Sequence, residues 1–140
     1  MEVTYGNGKL VLRFDEEKDI LFSYWTLDQY IDDQDYRKLC LVYESQIIKY
    51  QPKNLLLNAV NAFYVVPVET QKWLSDKLTP LVEKYKTEKS AVIMSSDFIT
   101  QLSIEQIVDE SENKTTATLY FDDEKKAIEW LEEGDKIKAA

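Results

Sequence analysis

Histidine is absent from the sequence, and only one cysteine occurs among its 140 residues. Without histidine the chain lacks the commonest general base, the commonest transition-metal ligand and the side chain that changes charge near neutral pH. Ser-His-Asp and Cys-His catalysis are excluded, together with most zinc sites. Any catalysis would rest on carboxylates, Lys or Tyr. A single cysteine cannot form an intrachain disulfide. Cys40 lies among Leu39, Leu41 and Val42, so a small buried hydrophobe is its expected role. No apolar stretch approaches the roughly 18 residues of a membrane span. The start, Met1-Glu2-Val3-Thr4-Tyr5, has neither the basic residues nor the apolar core of a signal peptide, so a cytoplasmic protein is expected.

Positive charge is also scarce. Seventeen Lys and Arg face 26 Asp and Glu, for a net charge of −9. The averaged field repels a phosphate backbone or an anionic membrane, so nucleic-acid binding is not expected. The densest basic stretches, Lys84-Tyr85-Lys86 and Lys136-Ile137-Lys138, are flanked by acids or by the chain end. The surplus of acid reads first as a solubility device.

What is present is enough for a core. An apolar share of 44% with 31% charged residues is globular composition, and the length predicts one domain over residues 1–140. The first part reads as a meander: Val3 to Tyr5, a tight reversal at Gly6-Asn7-Gly8, an alternating strand from Lys9 to Phe14, a polar turn, and a strand from Ile20 to Thr26. Asp32-Asp33 opens a helix whose Tyr36, Leu39, Cys40, Tyr43, Ile47 and Tyr50 keep core-facing spacing, and Gln51-Pro52 stops it.

Strand and helix then alternate. Asn54 to Val60 is nearly continuous in apolar character at its start, which predicts burial on both faces. Val68 to Tyr85 is helical, with a kink or break expected at Pro80. Ser90 to Met94 is a second buried strand. Ser103 with Gln106 resembles a capping box for a short helix through Val108, and Glu110 to Lys114 is loop-like. Thr115 to Phe121 forms the last strand. Asp122 is the expected cap of a final helix with Ala127, Trp130 and Leu131 inward, ended by Gly134. The predicted fold is α/β: a mixed sheet of order βββαβαβαβα, with an antiparallel meander followed by parallel βαβ units.

The segments Leu55-Leu56-Leu57-Asn58 before a loop and helix, Ala91-Val92-Ile93-Met94, and Tyr120-Phe121-Asp122 leading into Ala127-Ile128-Glu129-Trp130-Leu131 carry a resemblance. The chain is similar to STAS-like domains of the anti-sigma factor antagonist type. It resembles more closely the short stand-alone bacterial proteins grouped with STAS and CRAL–TRIO folds. The resemblance implies a single regulatory or adaptor domain. Antagonists of that family carry a phosphorylatable Ser at the start of the helix after the central strand. The matching stretch, Phe63-Tyr64-Val65-Val66-Pro67-Val68-Glu69, has no hydroxyl but that of Tyr64, and Thr70 lies one turn into the helix. The phosphorylation switch is therefore not carried over.

A loop after a buried strand is where open α/β sheets usually place ligands. Here it offers no His, Cys, Ser, Lys or Gly-rich turn. Its candidate partner or ligand surface is Asn58, Asn61, Phe63, Tyr64, Pro67 and Trp73. The two Asn either bind a polar group or satisfy loop backbone. The apolar run either forms an exposed patch or covers the sheet edge. Tyr24, Trp25, Tyr30 and Tyr36 are read first as core aromatics. Asp32-Asp33-Asp35 and Asp122-Asp123-Glu124 are read as helix-start acids rather than metal ligands. No cofactor, metal or catalytic constellation is predicted. The expectation is a protein that binds rather than catalyses. Its partner is a protein, a second copy of itself, or a small apolar ligand in a cavity lined by Tyr24, Trp25, Phe63 and Trp73.

Overall fold

The computed structural model describes residues 2–95 and 116–133. Six strands form one mixed sheet: β1 Glu2–Gly6, β2 Leu10–Asp15, β3 Ile20–Leu27, β4 Asn54–Ala62, β5 Lys89–Ile93 and β6 Ala117–Phe121. The described helices are α1 Asp33–Tyr50, α2 Val68–Lys84 and α3 Glu124–Glu132. β1, β2 and β3 pair antiparallel, and β3 through β6 pair parallel, as the sequence predicts. Strand order in the sheet equals order in the chain.

That order fixes the layers. From β3 to β4 and from β4 to β5 the chain steps the same way across the sheet, so connections of one hand place their helices on one face. One core accordingly joins Leu21, Trp25, Leu27 and Leu55 of the strands to Tyr36, Leu39, Cys40, Tyr43, Ile47 and Val82 of α1 and α2. α3 follows the edge strand and covers the other face, where Ala127, Trp130 and Leu131 meet Ile20, Phe22, Leu56, Ala91 and Ile93. β3 and β4 are thus sandwiched, which is why Leu55-Leu56-Leu57 reads as continuous rather than alternating.

Local chemistry sets the ends. In the first turn only Gly8 has positive φ, and Asn7 Oδ1 accepts the N–H groups of Lys9 and Leu10. Asp32 caps α1 by accepting from Gln34 N at 2.7 Å, and Gln51 ends it in a left-handed conformation before Pro52. At α3 the cap is Asp123, not the expected Asp122. Asp123 has the extended backbone of a cap, and its carboxylate accepts from Lys125 N at 2.8 Å. Of the kink or break expected at Pro80, the break does not occur: α2 runs through Pro80 as one helix. Pro80 is exposed, so the carbonyl one turn back that loses its helical donor lies on the water side. The readings at Ser103, Gln106, Val108, Glu110 to Lys114 and Gly134 lie outside the described residues.

The two ends of the sheet are finished differently. At the lower end, Lys89 opens β5 with 2% exposure and donates from Nζ to the Trp130 carbonyl at 2.7 Å and the Glu133 carbonyl at 3.0 Å. Asn54 donates to the Leu131 carbonyl, so two strand ends tie down the last turn of α3. At the upper end β4 outruns its expected limit at Val60 and continues to Ala62. Tyr24 pairs with Asn58 but Thr26 pairs with Asn61, so β4 carries one extra residue, a bulge at Ala59-Val60.

Candidate functional site

The upper edge of the sheet is where β3, β4 and β6 deliver the chain to α1, α2 and α3. The bulge decides what the β4 loop shows there. Before it, Leu55 and Leu57 face the α1/α2 layer. One inserted residue exchanges the faces. Beyond it, Ala62, Tyr64 and Val66 face that layer, while Asn61, Phe63 and Val65 point outward. Phe63 is 64% exposed and Val65 86%, and Val68 at the start of α2 is 79% exposed.

The inward residues are held firmly. Phe63 N donates to the Leu27 carbonyl at 2.9 Å, extending the β3–β4 ladder by one bond. The Tyr64 ring packs against Tyr36 at 5.2 Å between centroids, and its hydroxyl donates to Asp33 Oδ1 at 2.8 Å. The Thr70 hydroxyl, 1% exposed, lies between the Asp33 carboxylate at 2.9 Å and the Arg37 guanidinium at 2.9 Å. Arg37 also donates from Nε to Asp33 at 2.9 Å and covers the Trp73 ring at 4.9 Å. Partial burial pushes the Asp33 carboxyl up, but hydrogen bonds from Tyr64, Thr70 and Arg37 outweigh it and hold the group below the usual aspartate value. Burial, and then the bond to Asp33, raise the Tyr64 hydroxyl.

This cluster is closed on itself. Both hydroxyl protons point at one carboxylate, and the guanidinium is divided between that carboxylate, Thr70 and an indole face. It locks α1, α2 and the loop together and leaves no activated nucleophile or poised base. Thr70 is sealed inside it.

The structure divides the six sequence-derived site residues. Asn58 satisfies backbone: its Oδ1 accepts from Val60 N at 3.1 Å and so braces the bulge. Asn61, Phe63 and Pro67 are exposed. Tyr64 and Trp73 are half-buried in the lock rather than displayed beside Phe63. Tyr24 and Trp25 lie on opposite faces of β3, so Tyr24, Trp25, Phe63 and Trp73 enclose no common space. Of the four aromatics read as core, Trp25 and Tyr36 are buried and Tyr24 is half-buried, but Tyr30 is 83% exposed on the β3–α1 loop. The sequence places Asp33 as a helix-start acid and Thr70 one turn into α2, and it gives Arg37 no role; their meeting in one cluster is not legible there. Nothing local announces a lock whose bonds join Asp33 and Arg37 to residues more than 30 positions later.

Between β3 and β4 the edge differs from the usual ligand crevice. Such crevices open where neighbouring strands send their helices to opposite faces. The loops after β3 and β4 lead to the same face and lie side by side, whereas α3 covers the opposite face and the β5–β6 connection between them lies outside the described residues. Elsewhere a hollow of about 810 Å³ lies beside α2, edged by Ser75, Leu78, Thr79, Leu57, Ser90 and Thr118. The β5–β6 connection lies outside the described residues, so this hollow defines no closed site. Among the described residues no group of three or more His, Cys, Asp or Glu is placed to hold a metal ion, and no helix is long and apolar enough to cross a membrane. Comparison with protein-family models, with curated proteins and with solved structures found no match.

Proposed function

We propose that this chain is a non-enzymatic binding module of STAS-like type that engages a protein partner through the loop after its central strand. The observation that carries the reading is the division of that loop into an anchored side and a displayed side. Phe63 and Val65 stand in water while Tyr64 and Val66, their immediate neighbours, are fixed against α1 and α2. Exposed large apolar side chains on a rigid support are the usual mark of a contact surface. A flexible tail could expose the same residues by default; here the sheet, the lock and the Leu27 bond position them. Between the β3 and β4 loops, among the described residues, the edge has the side-by-side arrangement that suits a flat macromolecular contact better than an enclosed small molecule. A regulatory or adaptor role follows from the STAS resemblance and from binding without chemistry.

The test is a photo-crosslinking phenylalanine analogue placed at position 63 of the full chain in cells, with the same analogue at Glu16 on the opposite edge as control. The expected result is a discrete adduct from position 63 that Val65→Ser abolishes and that position 16 does not give. Adducts that are equal at both positions, or absent at 63, would overturn the proposal.

A further inference from the structure

The charges around the displayed side chains identify the chemistry of the partner. Tyr30, at 83% exposure, stands on the neighbouring β3–α1 loop and joins Phe63, Val65 and Val68 on the same edge. Residues 28–35 contain Asp28, Asp32, Asp33 and Asp35 and no Lys or Arg. In residues 58–69 the only charge is Glu69. The start of α3 adds Asp122, Asp123 and Glu124, followed by Lys125 and Lys126, and a 2.9 Å bond from Tyr24 draws Glu124 toward the upper end of β3. Lys9, whose carbonyl accepts Thr26 N, is a further cation at this edge, where acids still outnumber bases. The first cations on α1 and α2 are already engaged, Arg37 with Asp33 and Lys72 with Asp76 at 3.0 Å. At the opposite edge the signs are mixed, as in the pairs Lys18–Glu132 and Lys53–Glu88.

Among the described residues three helix N-termini meet this edge, which by backbone alone would favour an anion. The carboxylates reverse that preference. A second copy docking by the same patch would set acid against acid, because a two-fold contact pairs a surface with itself. A neutral apolar ligand would strip water from the rim carboxylates without replacing it. A segment with aliphatic or aromatic anchors flanked by Lys or Arg answers both the apolar centre and the acidic rim.

We infer that the occupant of this edge is a cationic polypeptide segment whose apolar side chains cover Phe63, Val65, Val68 and Tyr30; this rests on the binding reading proposed above.

The experiment is fluorescence anisotropy on the full chain with three dye-labelled twelve-residue peptides. The first alternates Lys with Leu and Phe, the second replaces each Lys by Glu, and the third replaces each Leu and Phe by Ser. The first should bind, weaken roughly tenfold between low and high salt, and weaken by a further factor of about ten in F63S/V65S. The variant Glu69→Gln with Asp122→Asn should lower its affinity roughly two- to fivefold by removing two rim charges. The Glu peptide should not bind. If it binds as well as the Lys peptide and F63S/V65S abolishes both, the docking edge stands and the cationic partner falls. If the Ser peptide binds as well as the first, or F63S/V65S changes nothing, the attraction is diffuse and the apolar edge falls with it. Sedimentation equilibrium should return a monomer. A dimer that F63S/V65S dissociates would give the edge to a second copy and overturn the inference.

Discussion

Replacing Lys89 with methionine tests how the lower end of the sheet holds α3. Met keeps most of the aliphatic stem and removes the ammonium. The two acceptors left behind are backbone carbonyls, those of Trp130 and Glu133, so unlike the partner in an ion pair they cannot be substituted away. A hydrogen bond from a charged donor is worth about 1.5–3 kcal/mol. The loss is less than twice that. Glu133 is exposed, so water reaches its carbonyl, and the Trp130 carbonyl still accepts Glu133 N at 3.3 Å. Against it stands the desolvation that a buried ammonium no longer requires. The ammonium also lies 5.1 Å from the centre of the Trp130 ring, a contact that Met reproduces only weakly. The expected net cost is about 1.5–3 kcal/mol. Urea unfolding at neutral pH should show an earlier midpoint with an unchanged slope. Hydrogen exchange should report faster opening of α3 than of β4. A K89M protein as stable as the parent, or more stable, would mean that desolvation of the ammonium exceeds what its acceptors return.

The upper edge and the core beneath it give two more expected outcomes. The Asp33 carboxyl is held below its ordinary value, so the lock contributes fully above the usual aspartate range, and that contribution is lost as pH falls through the lowered value. Urea midpoints measured between pH 6 and pH 3 should therefore fall more steeply for the parent than for Asp33→Asn, and parallel profiles would refute the linkage. Cys40 is 1% exposed, and burial pushes its thiol up to about 11. At pH 8 it should react with a disulfide reagent only as fast as the protein unfolds, and modification of the folded protein within seconds would contradict the packing.

Much of the fold is legible because its signals are local. The stripe from Tyr36 to Ile47 is a helix by spacing, and Ala127, Trp130 and Leu131 are buried as their spacing requires. The mixed sheet follows from strands that are first adjacent and then separated by helices. What escapes the sequence depends on partners far along the chain. Asn61 and Ala62 read as loop, yet Thr26 and Leu27 give them a strand to pair with. Lys89 falls just before the strand expected from Ser90 to Met94, and the carbonyls that explain its burial belong to the end of a helix more than 40 residues later. Two adjacent aspartates, Asp122 and Asp123, are equivalent caps on paper; backbone geometry at the β6 exit selects the second. At the candidate site, position was legible and orientation was not. The stretch Phe63 to Val66 is apolar throughout, so no pattern of residue types distinguishes its two sides.

The bulge at Ala59-Val60 makes the character of that edge a matter of residue number. Deleting one residue there would aim Phe63 and Val65 at α1 and α2 and turn Tyr64 out, away from Asp33. Composition, charge and nearly every local propensity would be preserved. Substitutions along this stretch can change how well the edge binds; a one-residue change in length changes which edge exists. Relatives that differ by a single insertion or deletion between Asn58 and Ala62 would then share the scaffold and present different surfaces.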